Sequence, residues 1–250
     1  MCSLVVRFDP TDPWPLRLAA NRDEHPGRPW DPPDRHWPAR PAMVAGRDRL
    51  AGGSWLGVND HGVVAAVLDR TGSLGPVAGK RSRGELVPEA LDHVEATAAV
   101  RALAHLDPGT FRPFNLLVAD PTRAFWLRSD GRELRVRPLG PGVHMLTGRE
   151  LDDPACPRIR RHLPLFRTAA PPEPEAPACS DWRLLLAAHV AAGDDPRHGM
   201  CLHGEDFGTL SASLLLVDRD GRTLWHFAAG PPCRTAFRPV AALAHTAVAG

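Results

Sequence analysis

The order of strand-like and helix-like segments is the feature that most constrains the fold of this 250-residue chain. Apolar alternation predicts strands at residues 2–8, 16–20, 54–59 and 63–69, and again at 115–119, 124–128, 134–138 and 143–147. Helical spacing predicts helices at 84–94, 95–106, 154–166 and 181–192, and a last hairpin is predicted at 213–217 and 223–228. Segregated blocks of this kind favour an α+β fold with antiparallel sheets. A four-layer αββα sandwich formed by one domain over residues 1–250 fits this order, although periodicity alone does not select it among α+β folds.

Composition excludes several function classes. The 30 basic and 29 acidic residues give a net charge of +1, which does not favour a nucleic-acid partner. No apolar run reaches the roughly 20 residues that a membrane span needs, and the N-terminus has no signal-peptide pattern, so we expect no membrane insertion. The five scattered cysteines predict free thiols in a cytoplasmic protein. The 27 prolines and the absence of tyrosine suggest a bacterial gene.

Cys2 is the first candidate catalytic residue, because removal of Met1 would make it N-terminal. It would then carry a thiol and an α-amine whose pKa lies near about 7.7–8.0. The amine can accept the thiol proton and later protonate a leaving amine, so one residue supplies nucleophile and base. The alternative is an ordinary buried cysteine at the start of an edge strand.

A polar tetrad, Asn21-Arg22-Asp23-Glu24, follows the second apolar run. If the first two strands pair as an antiparallel hairpin, Cys2 lies close to this tetrad. A carboxylate could then orient the α-amine, and Arg22 could lower the pKa of the thiol. The alternative is a solvated charge cluster at the end of a strand. We expect residues 21–50 to form one long polar loop, which in a compact chain is usually functional or disordered.

Aromatic residues near a glycine pair predict a binding surface. Gly52-Gly53 permits close approach of backbone before Ser54-Trp55, and Trp55 could form the wall of a ligand site. A turn before a core strand explains the same pattern. An apolar mouth is predicted from four tryptophans of the N-terminal quarter: Trp14, Trp30, Trp37 and Trp55.

Several motifs in a fixed order resemble one family. They are Met1-Cys2, Asn21-Arg22-Asp23-Glu24, Arg28-Pro29, Gly52-Gly53-Ser54-Trp55-Leu56-Gly57, Arg83-Gly84-Glu85-Leu86-Val87 and Phe114-Asn115-Leu116-Leu117-Val118-Ala119-Asp120. Together they resemble the NRDE family of transport and Golgi organisation proteins, over nearly the whole chain. This resemblance implies a fold like that of the N-terminal-nucleophile (Ntn) hydrolases, and kinship with cysteine amidases that cleave penicillin V and conjugated bile salts.

The resemblance also implies roles for individual residues. Cys2 corresponds to the nucleophile and Asp23 to the carboxylate that contacts its amine; Asn21 or Arg22 would help to polarise the site. Glu24, Trp55, Asp69 and Gly148 are the predicted substrate-binding residues. Three positions depart from the expected pattern: Asp69 and Gly148 stand where the amidases have asparagines, and Leu210 stands where relatives have an arginine. A carboxylate at position 69 would repel a developing oxyanion.

Two functions therefore remain open. The first is a hydrolase of linear amides with Cys2 as nucleophile and no cofactor. The second is a non-enzymatic carrier or chaperone of haem or another apolar ligand, for which the thiolate of Cys156, before Pro157, is a conceivable axial ligand. The segment from His198 to His203 lacks paired metal-ligand spacing and predicts a polar loop rather than a metal site.

Overall fold

The computed structural model of the protein describes residues 2–190 and 193–243. Its first sheet contains six strands in the order β10-β1-β2-β11-β12-β13, and its second contains seven in the order β3 to β9. All strand pairs are antiparallel. The strands of the first sheet are β1 (Ser3–Phe8), β2 (Leu16–Glu24), β10 (Gly142–Leu146), β11 (Gly208–Val217), β12 (Thr223–Ala228) and β13 (Arg238–Pro239).

The strands of the second sheet are β3 (Trp30–Asp34), β4 (Met43–Asp48), β5 (Leu56–Asn59), β6 (Val64–Asp69), β7 (Phe114–Ala119), β8 (Ala124–Ser129) and β9 (Leu134–Pro138). The helices are α1 (Leu86–Leu91), α2 (Ala96–Leu103), α3 (Pro157–Thr168) and α4 (Asp181–Leu186). Short 3-10 turns also occur, among them Arg83–Glu85 directly before α1.

Three hydrophobic clusters separate four layers. The middle cluster lies between the sheets and includes Leu18 and Leu117. A second cluster packs α1 and α2 against the second sheet, and a third packs α3 and α4 against the first. Alternation along β1 explains the arrangement, because Leu4 faces the other sheet while Val5 faces the helices. The chain therefore forms the αββα sandwich that its sequence favoured.

The prediction of one long loop over residues 21–50 is wrong. Strand β2 continues through Glu24, because the polar tetrad pairs with β11, where Gly208 lies opposite Glu24. Strands β3 and β4 occupy much of the remainder. Proline is tolerated in β3 because β3 is an edge strand with an irregular register.

The helix predicted at 181–192 is too long. Helix α4 ends at Leu186, residues 187–190 are not helical, and residues 191–192 lie outside the described part of the chain. Ser180 takes the N-cap position, but its side chain accepts no capping bond and instead donates to the carbonyl of Pro177 at 2.9 Å. The hairpin of β11 and β12 is confirmed.

Candidate active site

A cavity of about 370 Å³ opens where β1 begins and β2 ends. Arg22 and Glu24 of the first sheet and Asp48 and Asp69 of the second line its wall. Cys2, directly before β1, and Trp55, directly before β5, line it as well. The segment before α1 completes the wall, with Leu74, Gly75, Pro76, Val77, Lys80, Arg81, Ser82, Arg83 and Gly84. The cavity is thus bounded by both sheets and by Cys2 at the start of the chain.

Cys2 lies partly buried on the face of β1 that meets the second sheet, and it packs against the middle cluster. Its Sγ lies 3.6 Å from the carbonyl oxygen of Asp23, to which the thiol donates. The hairpin of β1 and β2 is confirmed by the pairing of Ser3 with Asn21. Burial raises the pKa of the Cys2 thiol to about 11, and the carboxylates of Asp23 and Asp69 act in the same direction. Arg22 interacts favourably with the Cys2 thiolate, as the sequence suggested, but desolvation outweighs the nearby cation and the pKa of the thiol is raised overall.

The tetrad divides between the two faces of β2. Arg22 and Glu24 lie on the cavity side, as Leu18 does, whereas Asn21 and Asp23 lie on the helix side with Ala19. This division follows from the two-residue repeat of a β-strand. It brings together at the cavity only half of the polar side chains that the sequence predicted there.

Asp23 is held behind the strand by two donors. Its Oδ2 accepts from Arg158 Nη1 at 3.1 Å, and its Oδ1 accepts from the hydroxyl of Thr209 at 2.7 Å. The same Arg158 nitrogen donates to the hydroxyl of Ser3 at 2.7 Å. Burial raises the pKa of the Asp23 carboxyl group, and Arg158 opposes that shift. Asp23 is therefore fixed directly beside the start of β1, next to Cys2.

Sequence reasoning missed Arg158 and Thr209. Arg158 lies on α3, where an arginine in a helix usually indicates a solvated face, yet only 4% of it is exposed. Its contact with Asp23 spans 135 positions along the chain. No spacing pattern encodes such a contact, so only the fold could show it.

Asn21 binds the helix layer rather than the cavity. Its Nδ2 donates to the carbonyl oxygens of Leu186 and Met200, both at 2.9 Å. This amide therefore joins β2 to the end of α4 and to the segment before β11. The contact indicates a positioning role for Asn21 rather than direct contact with a substrate.

Arg22 is buried at the cavity wall. Its guanidinium carbon lies 4.4 Å from the centroid of the Trp55 ring, and its nearest carboxylate oxygens, on Asp48 and Glu24, are 3.8 and 3.9 Å away. Arg28 binds Asp48 more closely, at 2.6 Å. Burial lowers the pKa of Arg22. Its Nη1 is buried and has no hydrogen-bond partner among the described residues, so the guanidinium is incompletely paired.

Asp69 lies in the cavity wall as predicted, but its carboxylate is paired. Its Oδ1 lies 2.7 Å from Arg83 Nη2, and Arg83 is itself fixed by a bond to the carbonyl of Pro113. Burial raises the pKa of Asp69, while Arg83 lowers it. The sequence indicated Arg83 only as part of a motif, and its pairing with Asp69 could not be foreseen.

Gly148 is not among the described residues that line the cavity. Its carbonyl oxygen accepts from the backbone nitrogen of Thr71 at 2.8 Å and from the Thr71 hydroxyl at 3.1 Å. Leu210 lies at an irregularity of β11, between Thr209 and Ser211. Neither residue is among the described residues that line the cavity with Cys2.

Two glycines permit the close packing of the cavity wall. A Cβ at Gly53 would lie 2.4 Å from the carbonyl carbon of Gly84, and the adjacent Ser54 nitrogen donates to the carbonyl of Gly84 at 2.9 Å. A Cβ at Gly46 would lie 2.3 Å from the ring of Trp55. Because these two glycines have no side chain, Trp55 and the segment before α1 can pack closely in the cavity wall.

The predicted apolar mouth of four tryptophans is wrong. Of the four, only Trp55 lines the cavity among the described residues, with Trp30 packed edge-on behind it at 5.8 Å. Trp37 packs against the hydrophobic cluster between the second sheet and helices α1 and α2. Trp14 lies in the turn between β1 and β2, at the other end of these strands from Cys2. The local sequence could not show which strand end each ring occupies.

Cys156 is buried in the cluster between the first sheet and α3. Its Sγ lies 3.5 Å from the hydroxyl of Thr147. It is not among the described cavity residues, so its position does not fit an axial ligand of haem in that cavity.

Comparison with known proteins is consistent with this arrangement. Residues 1–226 match the sequence profile of the family described as Transport and Golgi organisation 2. The chain belongs to that family. A Transport and Golgi organization protein 2 homolog from Bos taurus is 29% identical over 261 aligned residues, which cover 88% of this chain and 90% of the relative.

Solved structures similar to this Transport and Golgi organisation 2 family member show the fold. An N-acylethanolamine-hydrolyzing acid amidase ortholog from Caenorhabditis elegans gives a TM-score of 0.54 at 14% identity, over 86% of this chain and 92% of the other. The C2A mutant of the conjugated bile acid hydrolase from Clostridium perfringens gives 0.54 at 9% identity, over 96% of each chain. The αββα sandwich is therefore of the Ntn-hydrolase type. No helix in the described residues is long and apolar enough to cross a membrane.

Proposed function

We propose that this family member is a cysteine Ntn hydrolase that cleaves a linear, non-peptide amide after removal of Met1. One observation carries the proposal: the Cys2 thiol lines the charged cavity and donates to the backbone carbonyl of Asp23, whose carboxylate is held on the helix side of β2 by Arg158 and Thr209. A buried cysteine in a purely structural role would not need a cavity or this neighbour. The amidase and hydrolase names of the similar structures support the same reaction class.

The reaction would use the two functional groups of Cys2. The α-amine accepts the thiol proton, and the sulfur attacks the carbonyl carbon of the amide. When the C–N bond breaks, the α-ammonium group returns that proton to the leaving amine. A water molecule deprotonated by the α-amine then cleaves the thioester, which releases the carboxylic acid and restores the thiol.

Two residues would support these steps in different ways. Asp23 would orient the α-amine from behind the strand, where Arg158 and Thr209 hold it. Arg22, which lines the cavity and has no carboxylate oxygen closer than 3.8 Å, would donate to the carbonyl oxygen or to a carboxylate of the substrate. A buried donor at this position is worth more than one in water, because the medium around it screens poorly.

The chemistry of the cavity favours a polar substrate over an apolar ligand such as haem. Six basic residues line it (Arg22, Arg28, Lys80, Arg81, Arg83 and Arg112), together with the acidic residues Glu24, Asp48 and Asp69. The five cysteines are free thiols, which supports the proposal of a cytoplasmic protein. The first sheet combines strands from both ends of the chain, which supports one domain over residues 1–250.

The test is hydrolysis of a panel of N-acyl amines and N-acyl amino acids by the purified protein. We expect release of free amine by the wild type, and loss of that release by at least about 1,000-fold in Cys2→Ala. Cys179→Ala is the matched control, because Cys179 is an exposed thiol outside the cavity, and it should retain full turnover. Tight ligand binding without turnover, unchanged in Cys2→Ala, would instead support a carrier.

A further inference from the structure

Four side chains from three separate segments of the chain come together behind the first sheet's polar end. They are His189, Cys201, His203 and Cys233. Their donor atoms all lie within 4.8 Å of one another. Cys201 Sγ and Cys233 Sγ are 3.5 Å apart, and His203 Nε2 lies 3.1 Å from Cys233 Sγ and 3.9 Å from Cys201 Sγ. The ring of His189 lies 5.1 Å from that of His203, centroid to centroid.

These separations match a tetrahedral metal site. With metal–sulfur bonds of about 2.3 Å and metal–nitrogen bonds of about 2.0–2.1 Å, tetrahedral angles place two sulfurs about 3.8 Å apart and sulfur and nitrogen about 3.6 Å apart. The sulfur atoms of the cluster are 3.5 Å apart, and its two sulfur–nitrogen distances, 3.1 and 3.9 Å, bracket the ideal value. A disulfide would instead need the sulfurs at about 2.05 Å. Cys201, His203 and Cys233 are therefore spaced for one ion between them, and the donor atom of His189 lies within 4.8 Å of the other three.

The backbone holds these ligands in place. The carbonyl oxygen of Ala188 accepts from the nitrogens of Met200 and Cys201, at 3.0 and 3.1 Å. This contact fixes the residue next to His189 against Cys201. Leu202, between Cys201 and His203, exchanges two bonds with Thr209 at the start of β11.

Cys233 reaches the cluster from the other side, after β12. It lies in a turn in which the carbonyl of Pro231 accepts from the nitrogens of Arg234 and Thr235, at 3.1 and 3.0 Å. Three separate segments thus converge on one point, and two of them are fixed by backbone bonds that do not depend on the side chains of the cluster.

We infer that His189, Cys201, His203 and Cys233 form a structural binding site for one zinc ion. Two thiolates and two neutral imidazoles suit zinc, and the two thiolate charges balance the charge of the ion. Binding releases the two thiol protons. All four positions are filled by protein, which is typical of a structural rather than a catalytic zinc.

The sequence pattern predicted only a polar loop here, for a clear reason. Cys201 and His203 are separated by a single residue, which is not a usual ligand spacing, and Cys233 follows 30 positions after His203. His198, which the sequence grouped with them, lies instead beside Asp195, at 3.8 Å. Only the return of the chain through β11 and β12 brings the ligands together.

The site is linked to the cavity through two short connections. Thr209, which pairs with Leu202, also donates to Asp23. Met200, next to Cys201, accepts from Asn21 of the same tetrad. A bound ion would therefore stabilise the segment against which the helix-side residues of β2 are held.

The test is metal analysis of the full chain, purified with a thiol-free reductant and without chelator. We expect about one zinc ion per chain by mass spectrometry of the metal content. Replacement of zinc by Co²⁺ should produce the visible bands of tetrahedral cobalt and a sulfur-to-cobalt charge-transfer band. Cys233→Ser and His203→Gln each remove a zinc ligand. Each should weaken zinc affinity by more than the roughly 10–100-fold that follows from mutating residues that only hydrogen-bond to the ligands.

Cys179→Ser is the matched control, since Cys179 is exposed and lies outside the cluster; its metal content and cobalt spectrum should equal those of the wild type. The spectrum of the wild type decides the matter even if a ligand variant does not fold. Absence of zinc together with no cobalt charge-transfer band would overturn the inference. A Cys201–Cys233 disulfide in protein kept in reductant would overturn it as well. Neither result depends on whether the protein hydrolyses amides.

Discussion

The two faces of β2 at its polar end differ in how fully their side chains are bonded. On the helix side, Asp23 accepts from two donors at 3.1 and 2.7 Å, and Asn21 donates twice at 2.9 Å. On the cavity side, Arg22 has no carboxylate oxygen closer than 3.8 Å, and one of its nitrogens has no partner among the described residues. On the helix side, Asn21 Oδ1 is the one acceptor of these two side chains that has no partner among the described residues. One four-residue segment therefore combines a largely bonded framework with a surface whose cation lacks close partners.

This difference separates structural from chemical roles within a single motif. Side chains that are already bonded to the protein can position their neighbours, but they have little capacity left for a ligand. A buried cation without close partners has been desolvated at a cost, and a ligand that binds it can recover part of that cost. We therefore expect cavity-side changes to act mainly on turnover, whereas helix-side changes lower stability and, at Asp23, turnover as well.

The largest effect is expected for Asp23→Ala on the helix side. It leaves the buried guanidinium of Arg158 without its carboxylate, and breaking a buried pair in this way costs about 3–5 kcal/mol. Chemical denaturation should show a lower midpoint with an unchanged slope. Glu24→Ala, at the cavity-side neighbour, is the control and should change the free energy of unfolding by less than about 1 kcal/mol. Equal losses in the two variants would break the comparison.

The next effect concerns Arg22→Met, which keeps a long apolar side chain against Trp55 but removes the guanidinium. If Arg22 donates to the substrate, turnover should fall by about 100–1,000-fold, as it does when one oxyanion donor is lost. The free energy of unfolding should change little, because Arg28 still binds Asp48. Steady-state kinetics and denaturation of the same preparation check both parts. A stability loss as large as that of Asp23→Ala would show that Arg22 belongs to the framework.

A smaller loss is expected for Asn21→Ala. Without its amide, the buried carbonyls of Leu186 and Met200 lose a donor, which costs roughly 1–3 kcal/mol. Hydrogen exchange should increase at the end of α4 and before β11, while exchange at the cavity-side segment before α1 stays as in the wild type. Faster exchange at that segment as well would mean that the two faces are not independent.

The smallest effect on stability is expected from the pair of His144 and Asp152, which lies on neither face of the polar end of β2. His144 Nδ1 lies 2.7 Å from Asp152 Oδ2, and this bond raises the pKa of His144 above 6.5. Because the folded-state pKa is raised, the pair stabilises the protein fully below the unfolded pKa, and the contribution is lost as pH rises through the folded pKa.

His144→Gln should therefore cost the most stability near pH 5.5 and less at pH 9. The difference in the free energy of unfolding between wild type and variant should fall by less than about 1 kcal/mol over this range. Asp23→Ala, measured over the same range, supplies the helix-side comparison, and its loss should exceed that of His144→Gln at every pH. A difference for His144→Gln that grows with pH would contradict the assignment of the raised pKa.

The sequence predicted an α+β fold from local pattern and the nearness of Cys2 to the tetrad from hairpin geometry, whereas the four-layer sandwich was singled out only by the ordered motifs that resemble a known family. It missed the continuation of β2 through the tetrad, since four polar residues in a row do not resemble a buried strand. The sequence pattern also did not predict the contacts of Arg158 with Asp23 and of Cys233 with Cys201. These contacts join distant parts of the chain, and only the packing of the first sheet with its helices brings them together.

The central claim is that Cys2 acts as a free N-terminal nucleophile in this cavity. Intact-mass measurement of the active, amide-hydrolysing protein, before and after brief exposure to a slowly hydrolysed acyl substrate, tests it most directly. The account predicts a chain that lacks the mass of Met1 and gains one acyl group, which peptide mapping places on Cys2. Retention of Met1 in protein that still hydrolyses the amide, or acylation at another residue, would contradict it.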